Sequence, residues 1–377
     1  MTPWHILTPE YPPDVGGVSD YTQHIAEALS REGEEVHVWC PPSAAPRALT
    51  AVQIHAEAGQ YLPSNLRTLA GSLDAFPAPR RLLVQWVPHG FGCHSMNLAF
   101  CWWLADRAAK GDRVELMVHE AFSELRLGPV RHMAMAVVQR LMTTLLMRTA
   151  SRVWVSIPAW APLLRPYALG RNVRIDWLPI PSCLISPDSS DRCDREKYAE
   201  ASRPLVGHFG SFGEDVSTLL DERLPSIMNS NSQPSLLLIG ARSETFRDRL
   251  IARYPDWSNR VHATGYVEPT ALASYLDACD LFVQPYPDGI SSRRTSAMAC
   301  LSRGCPIVTT SGHLTEQLWR ATGAVSLADV LDPDGFAAAA VGLLDDESER
   351  RRLAERGRVL YHERFDLAHT IAALRAA

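Results

Sequence analysis

The residue types best suited to binding chemistry lie together in one polar stretch, PDGISSRRTSAMACLSRGCPIVTT, at residues 287–310. It combines a carboxylate, Asp288, with two adjacent arginines, Arg293 and Arg294, and with several hydroxyl side chains. Guanidinium groups and hydroxyls together favour an anionic ligand, above all one that carries phosphate. Such a site needs a fold that holds these side chains in one place.

Strands are predicted on both sides of this stretch. The apolar run LFV before it and the run PIV within its last residues do not alternate with polar residues, which is typical of buried parallel strands. The segment TSAMACLSR predicts a helix between them, with Thr295 or Ser296 as the N-cap and Gly304 at the end. A loop that leads from a strand into a helix presents backbone N–H groups at the positive end of the helix dipole.

The loop therefore predicts an anion site. Its candidate residues are Gly289, Ile290, Ser291, Ser292, Arg293, Arg294, Thr295 and Ser296. A solvated loop with ordinary capping residues is the alternative interpretation.

A second glycine-containing loop follows the first predicted strand. The segment HILTPEYPPDVGGVSDYTQHIAEALSREGEEVHVWC predicts strand, loop, helix and strand in that order. Gly16 and Gly17 lie where the chain enters the helix, and a residue without Cβ lets backbone N–H groups approach a ligand closely. The pair does not complete a G-x-G-x-x-G motif, so a plain turn remains the alternative.

Length and composition limit the class of protein. A chain of 377 residues exceeds one compact core and predicts two α/β domains. A net charge of −5 argues against general binding of nucleic acid. The eight cysteines form no C-x-x-C pair and no metal-ligand spacing, which predicts reduced cysteines in a cytoplasmic protein. We expect neither a secretory signal nor a membrane span.

Predicted strands alternate with helices along the whole chain, which favours parallel sheets with crossover helices. The predicted strands are WHILT, EVHVWC, LLVQWV, VELMVH and VWVS in the first part, and PLVGHFG, SLLLIG, RVHATG, LFVQPY, PIVTT and AVSL in the second. We predict a first Rossmann-like domain at residues 1–184, a linker at 185–203, a second Rossmann-like domain at 204–359 and a final helix at 360–377 that returns to the first domain.

Several segments together resemble a known family. PEYPPDVGGVSDYTQHIAEALSREGEEVHV, MVHEAF, ATGYVEPTALASYLDACDLFVQPYPDG and AMACLSRGCPIVTT are similar, in the same order, to the two-domain GT-B glycosyltransferases, and specifically to the retaining branch called family 4. The resemblance implies two Rossmann-like domains facing a cleft, with the acceptor bound by the first domain and a nucleotide sugar by the second.

The resemblance also implies site residues. It places Gly16 and Gly17 in the glycine loop that approaches the donor diphosphate, and His119 at the transferred sugar or its phosphate. Without the resemblance, His119 reads as a histidine at a strand end that bonds a backbone carbonyl. The stretch TGYV, which ends at Val267, falls where the family meets the nucleotide base. Gly210 and Ser211 fall where the family grips the diphosphate.

Two positions depart from the family. Of its two acids seven residues apart, the first corresponds to Asp288 and the second to Ser296, so the acid that holds the ribose is absent. The arginine and lysine that usually grip the diphosphate are also absent, since Ser211 stands at the arginine position. Arg293 and Arg294 can supply this charge from another loop. We assign Asp288, with His119, to the catalytic pair, and expect Asp288 to position the sugar rather than to attack it.

The function that this set predicts is transfer of a sugar from a UDP- or GDP-type nucleotide sugar to a glycan, lipid-linked or small-molecule acceptor, with retention of configuration. No cofactor and no metal are expected, because arginines and backbone dipoles can neutralise a diphosphate and no D-x-D pair suits Mg²⁺. Two alternatives stay open. One is another enzyme of the same architecture, such as an epimerase or a phosphorylase, and the other is a non-catalytic binder of a nucleotide sugar or of a partner enzyme.

One segment departs from the acidic character of the chain. Residues 125–175 contain no Asp or Glu and carry eight arginines, Arg126, Arg131, Arg140, Arg148, Arg152, Arg165, Arg171 and Arg174. A crossover helix with arginines at its rim explains this pattern. The other interpretation is a basic face, within residues 126–174, that meets an anionic membrane surface or a lipid-phosphate acceptor. We accordingly expect a cytoplasmic protein, with peripheral contact at the inner membrane face under this second interpretation.

Overall fold

The computed structural model describes residues 2–14, 16–42, 51–125, 129–182, 184 and 193–376. These residues form two compact units. Unit 1 comprises Met1–Pro179 and Thr370–Ala377, and unit 2 comprises Ile180–His369. Each unit is a parallel sheet whose strands are joined through helices, so both units have the doubly wound α/β architecture that the sequence predicts.

The described part of unit 1 contains seven strands. They are β1 Trp4–Leu7, β2 Val36–Trp39, β3 Gln53–His55, β4 Arg81–Trp86, β5 Arg113–Val118, β6 Arg152–Val155 and β7 Arg174–Trp177. All pair in parallel, in the order β3-β2-β1-β4-β5-β6-β7. The helices are α1 Gly17–Arg31, α2 Pro63–Asp74, α3 Leu98–Ala109, α4 Val130–Thr149 and α5 Trp160–Leu164, with short 3₁₀ turns at Cys93–Ser95 and Arg165–Ala168.

The described part of unit 2 contains six strands. They are β8 Leu205–Phe209, β9 Ser235–Ile239, β10 Val261–Ala263, β11 Leu281–Gln284, β12 Ile307–Ser311 and β13 Ser326–Asp329, all parallel, in the order β10-β9-β8-β11-β12-β13. The helices are α6 Glu214–Met228, α7 Ser243–Arg253, α8 Pro269–Asp277, α9 Thr295–Ser302, α10 Gln317–Thr322, α11 Pro333–Asp345, α12 Glu347–Arg364 and α13 Leu367–Arg375. Among the described helices of both units, none combines the length and the apolar character needed to cross a bilayer.

The eleven strands predicted from apolar runs are all present, and two further strands were not predicted. The two are β3 and β7, which lie at opposite edges of the unit 1 sheet. Both are partly exposed, because an edge strand has a neighbour on one side only. Their sequences, QIH and RIDW, therefore lack the continuous apolar run by which the inner strands are recognised.

The boundary between the units lies earlier than residue 184. Ile180 belongs to unit 2, and its N–H donates to the carbonyl of Ser292 at 3.0 Å. Residues 193–203, the described part of the predicted linker 185–203, pack on unit 2, because Arg195 forms a 2.7 Å ion pair with Asp280. Asp280 also accepts the N–H of Leu205 at 2.7 Å. The predicted linker residues 185–192 lie outside the described residues.

The predicted final helix at 360–377 is two helices, α12 and α13, rather than one. The break occurs at Asp366, whose carboxylate accepts the N–H of Ala368 at 3.0 Å and so caps the second helix. α12 lies in unit 2, and the chain from Thr370 lies in unit 1. There Arg375 forms ion pairs of 2.8 and 2.9 Å with Glu32 and Glu34.

Three histidines stack across the first strands of unit 1. His5 on β1 lies against His37 on β2, with ring centroids 5.1 Å apart, and His37 lies against His55 on β3 at 5.2 Å. Nδ1 of His37 is 3.0 Å from Nε2 of His55, and Nε1 of Trp39 donates to Nδ1 of His5 at 3.3 Å. His5 is fully buried. Burial, and then the charges of His37, His55, Arg80 and Arg107, lowers the pKa of His5 to about 3.

We predict that this stack makes the fold sensitive to acid. A histidine whose pKa is lowered by folding stabilises the native state fully above its unfolded pKa of about 6.5 and loses that contribution as the pH falls toward the folded value. Between pH 7 and pH 4, the free energy of unfolding of His5→Phe should therefore fall by about 2–3 kcal/mol less than that of the wild type. Urea titrations at several pH values measure this difference. The exposed His313→Phe is the control, and parallel pH profiles for His5→Phe and the wild type would contradict the prediction.

Candidate functional site

Several of the residues predicted from sequence follow the carboxyl ends of strands, which is where ligands bind in doubly wound folds. In each sheet the strand order reverses next to the first strand, between β1 and β4 in unit 1 and between β8 and β11 in unit 2. Ligands of such folds bind beyond the carboxyl ends of strands at this reversal. His119 follows β5 directly, Gly210 follows β8, and the loop of Asp288 follows β11. The two units are described separately below.

In unit 2 the structure brings together the three charged residues of the 288–296 loop. Nη2 of Arg293 donates to Oδ2 of Asp288 at 2.7 Å, and Nη2 of Arg294 donates to the same oxygen at 3.0 Å. The guanidinium of Arg294 also lies 4.7 Å from the ring centre of Tyr286. The cluster carries two positive charges and one negative charge, so it remains a net positive site beside the start of α9.

This arrangement differs from the one expected from sequence. The resemblance assigns Asp288 to the sugar and the arginines to the diphosphate, as groups with separate tasks. In the structure the carboxylate is the hydrogen-bond partner of both arginines. The three charged side chains therefore form one hydrogen-bonded cluster.

Glu316, which sequence analysis did not identify, holds the loop in place. Its Oε1 accepts both the N–H and the hydroxyl of Ser292, at 2.9 and 2.5 Å, and its Oε2 accepts Nε1 of Trp319 at 2.7 Å. Ser292 is fully buried. One carboxylate thus fixes the middle of the loop to the start of α10. The sequence signal is weak, because an acid 24 residues away gives no spacing that marks it.

Gly289 is required by the backbone of the loop. Its φ of +84° lies in the left-handed region, and a Cβ there would lie 2.2 Å from the backbone nitrogen of Gly312. The neighbouring Ile290 is fully buried, and its N–H donates to the carbonyl of Thr310 at 2.8 Å. The N–H of Tyr286 donates to the hydroxyl of Thr310 at 2.7 Å. The loop is thus fixed against the end of β12.

The hydroxyl groups of the loop have different environments. Ser291 is fully buried, and its hydroxyl has no hydrogen-bond partner among the described residues. A buried hydroxyl without a partner destabilises the fold, so the hydroxyl of Ser291 is a candidate to bind a ligand. Ser296, which stands where the family has its second acid, lies 2.8 Å from the hydroxyl of Tyr286. Thr295 is the first residue of α9, and Arg294 is its N-cap, so neither predicted hydroxyl cap is observed.

The end of β8 brings a histidine beside the predicted glycine. Nδ1 of His208 donates to the carbonyl of Val283 at 2.7 Å, which leaves Nε2 buried and without a partner among the described residues. A Cβ on Gly210 would lie 3.3 Å from this nitrogen. Burial lowers the pKa of His208 to about 4, so the free nitrogen is an acceptor at neutral pH. Ser211 is exposed, and Val267, after β10, is half-buried.

In unit 1 the helix start beside Gly16 and Gly17 already holds a carboxylate. Oε1 of Glu10 accepts the N–H groups of Val18 and Ser19, at 3.1 and 3.0 Å. A Cβ on Gly16 would lie 2.3 Å from this oxygen, whereas a Cβ on Gly17 would meet nothing within 4 Å. Gly16 is therefore needed for the approach of Glu10. In this structure the first N–H groups of α1 bind the carboxylate of the chain's own Glu10.

His119 lies buried at the end of β5. Its Nε2–H donates to Oε1 of Gln85 at 2.8 Å, and its ring meets the edge of Tyr21 at 5.0 Å. Burial lowers the pKa of His119 to about 3, so the ring is neutral at physiological pH. Its own carbonyl accepts the hydroxyl of Ser156 and Nε1 of Trp160, both at 3.0 Å. The ring therefore bonds a side chain, not the backbone carbonyl considered from sequence, and Nδ1 is left as an acceptor.

Gln85 thus sets which nitrogen of His119 carries the proton, and it was not identified from sequence. We predict that Gln85→Glu raises the pKa of His119 by at least one unit, because a carboxylate at this position favours the imidazolium. Gln85→Leu, which offers no acceptor, should leave the pKa low. Nitrogen NMR of the histidine rings measures both effects. A His119 ring that titrates identically in the two variants would contradict this role for Gln85.

Among the described residues, no group of three or more His, Cys, Asp or Glu side chains is placed to hold a metal ion. The carboxylate of Glu10 in unit 1 is bound by backbone N–H groups, and that of Asp288 in unit 2 is bound by two arginines.

Comparison with known proteins assigns both units to glycosyltransferase families. Residues 16–181 match the family model described as "Glycosyl transferase 4-like domain", and residues 203–346 match "Glycosyl transferases group 1". The chain is 22% identical, over 93% of its length and 86% of the relative's, to a phosphatidyl-myo-inositol mannosyltransferase of Mycolicibacterium smegmatis.

Solved structures agree with this assignment at the level of the fold. The sucrose-phosphate synthase of Thermosynechococcus elongatus superposes with a TM-score of 0.72 at 16% identity, covering 100% of this chain and 98% of that one. Anabaena Alr3699/HepE in complex with UDP superposes with a TM-score of 0.71 at 16% identity, covering 100% and 99%. The two units therefore have the architecture of glycosyltransferases with the GT-B fold.

Proposed function

We propose that this chain, a GT-B glycosyltransferase, moves a hexose from a UDP- or GDP-type nucleotide sugar to an acceptor with retention of the anomeric configuration. Unit 2 binds the donor, and unit 1 binds the acceptor. The acceptor is a glycan, a lipid-linked sugar or a small molecule, and no nucleic acid takes part.

The observation that carries this proposal is the cluster of Asp288, Arg293 and Arg294 at the start of α9. Two guanidinium groups and a helix N-terminus form a site for a diphosphate at the carboxyl edge of a parallel sheet. Cleavage of the bond between a sugar and a diphosphate builds negative charge on the leaving phosphate. Donors fixed in advance toward that charge contribute most to the rate.

The arginine pair also supplies the positive charge that the family usually places after the first strand of its second domain. Ser211 stands there in this chain and brings no charge. We propose on this ground that the donor is bound and cleaved without a divalent metal, and that no cofactor beyond the nucleotide sugar is needed.

Asp288 and His119 act at the sugar in this proposal. Asp288 leaves the arginines when the diphosphate arrives and then accepts from hydroxyls of the transferred sugar. His119 is neutral, with its proton on Nε2, so its Nδ1 accepts a hydrogen bond from a hydroxyl rather than attracting phosphate as a cation. Neither residue forms a covalent bond to the sugar.

The printed names of relatives support the donor class but do not fix it. One relative is a mannosyltransferase, and one structural neighbour contains UDP. These facts belong to those proteins, and the identities of 22% and 16% leave the base and the sugar open here. We therefore propose both UDP- and GDP-sugars as candidate donors.

A non-catalytic binder on the same scaffold is the second candidate. It is favoured by the carboxylates that already occupy the expected anion sites, Glu10 at the start of α1 and Asp288 between the arginines. Such a protein would bind a nucleotide sugar or a partner enzyme and release no product.

Release of free nucleotide separates the two candidates. The protein is incubated with a panel of UDP- and GDP-sugars, with and without mixed acceptors, in buffer that contains EDTA, and the nucleotides are separated by chromatography. We expect nucleoside diphosphate to be released from one donor and to increase when a suitable acceptor is present. Binding of a donor without release, with or without added Mg²⁺, would instead support the non-catalytic candidate.

A further inference from the structure

Helix α4 of unit 1 presents an apolar face to solvent. Val130, Met133, Val137 and Leu141 are 82, 40, 50 and 52% exposed. Their spacing of three and four residues places them on one side of the helix, along about 16 Å of its axis. On the opposite side of α4, Ala136, Met142 and Leu146 are buried. The exposed apolar residues are therefore not part of the core, and burying them elsewhere would be favourable.

The same face continues into a groove between α3 and α4. The groove has a volume of about 750 Å³, and its lining includes Trp102, Ala105, Leu145, Arg148 and Arg171. Trp102 is 62% exposed, which is unusual for the largest apolar side chain. Arg148 lies seven residues after Leu141 and so on the same side of the helix. We call the surface formed by Val130, Met133, Val137, Leu141 and Arg148 of α4, together with Trp102 of α3, the α4 face.

The charge around the α4 face is positive. Arg131 and Arg148 are exposed on α4, and no acid occurs between residues 125 and 175. Asp106, one turn after Trp102 on α3, pairs with Lys110 at 2.7 Å, so that pair adds no net charge. Arg171 donates to the carbonyls of Met147, Arg148 and Ala150 at the C-terminal end of α4, so a guanidinium group lies there as well. Asp112 is the acid in the groove lining, and its carboxylate is bound by Arg80 and Arg107.

The other arginines of the segment do not belong to the α4 face. Arg152 and Arg174 pair with Asp176, each at 2.8 Å. Arg140 lies 4.4 Å from the ring centre of Phe122 and donates to backbone carbonyls. Arg165 is exposed after α5, and Arg126 lies outside the described residues. The positive surface is therefore narrower than the segment 126–174 expected from sequence, and it is centred on α4.

We propose that the α4 face docks on an anionic lipid bilayer. An apolar helix stripe with arginines beside it is the combination that holds a helix in the plane of a membrane interface. Tryptophan is enriched at that depth, and the negative surface of a leaflet attracts basic groups that lie within a Debye length. The inference is independent of the sugar chemistry, since it uses no residue of the proposed donor or catalytic sites.

Co-sedimentation with vesicles tests the proposal. The wild-type protein is mixed at low salt with one of two kinds of vesicle. The first kind is neutral phosphatidylcholine, and the second contains roughly 30% anionic phosphatidylglycerol, which attracts basic surfaces. We expect the protein to pellet with the anionic vesicles at least ten times more than with the neutral ones, and to be released by salt. Val137→Asp/Leu141→Asp and Arg131→Glu/Arg148→Glu should each reduce binding at least tenfold.

Leu331→Asp is the matched control, because Leu331 is an 88% exposed leucine of unit 2. It should bind as the wild type does. Val137 and Leu141 are exposed, so their double variant should keep its circular dichroism and its affinity for nucleotide, which also separates this test from that of the proposed function. Equal pelleting with both kinds of vesicle would overturn the proposal. So would a wild-type dimer that the double aspartate variant dissociates, since a second copy would then cover the α4 face.

Discussion

Changing both Arg293 and Arg294 to alanine is expected to weaken the binding of nucleoside diphosphate by roughly 2–4 kcal/mol, or about 30- to 1000-fold. The two guanidinium groups carry the positive charge of the 288–296 loop, and a diphosphate that leaves water needs that charge matched. Arg294 is additionally held against Tyr286, so the two arginines differ in freedom. We therefore expect one single variant to account for most of the loss.

Calorimetric titration with UDP and GDP measures this effect directly. Asp288→Asn is the informative companion, because it removes the carboxylate that both arginines bind while leaving an oxygen acceptor. If the arginines bind the diphosphate, Asp288→Asn should bind it as well as the wild type or better, yet transfer sugar more slowly. Wild-type affinity in the double alanine variant would mean that the arginines only stabilise the loop through Asp288.

His119→Ala is expected to lower turnover at least tenfold while the fold remains intact. A neutral imidazole whose Nδ1 accepts a hydrogen bond from a hydroxyl of the transferred sugar acts mainly in the transition state, so its loss lowers kcat more than it raises KM. The ring is fixed by Gln85 and Tyr21 before any ligand arrives. Because the ring is already fixed in position, its contribution to turnover should be large.

His119→Asn gives a second variant for the same question, since it keeps a neutral polar group next to Gln85. It should retain more activity than His119→Ala. Circular dichroism and thermal unfolding check that both variants fold. If His119→Ala turns over donor at the wild-type rate with unchanged unfolding, then the residue serves only to close the end of β5.

The fold could be predicted from sequence because its inner strands are apolar runs that alternate with helical segments along the chain, which is typical of parallel sheets. The runs at Leu82 and Leu281 belong to β4 and β11, which lie inside their sheets and are buried. The edge strands β3 and β7 could not be predicted in this way, since QIH and RIDW contain as many polar as apolar residues or more. Pairing with a neighbouring strand makes them strands, not their composition.

The candidate site was predicted as a set of residues but not as a set of contacts. The sequence places Asp288 and the arginines in one loop, yet nothing in it tells that the carboxylate binds both of them. Gln85 and His119 are 34 residues apart and meet because β4 and β5 pair in parallel register. Register is a property of the folded sheet, so partners of this kind cannot be found by spacing along the chain.

The same limit applies to Glu10 and Glu316. Each uses its carboxylate to bind backbone N–H groups of a loop or helix start, Glu10 at Val18 and Ser19 and Glu316 at Ser292. Glu10 lies within the segment PEYPPDVGG, but nothing in that segment indicates that its side chain binds the start of α1, and Glu316 lies in no motif. They were found only because buried backbone groups must have partners, and the structure shows which ones they have.

Amide hydrogen exchange with and without UDP or GDP tests the central claim most directly, because it reports where on the intact chain the diphosphate binds. The account predicts slower exchange in the peptides that cover residues 288–299, the loop and the start of α9, with little change around Leu331. The protection should be absent in the double arginine variant. Slower exchange confined to other peptides, with residues 288–299 unchanged at saturating nucleotide, would contradict the assignment of this loop as the donor site.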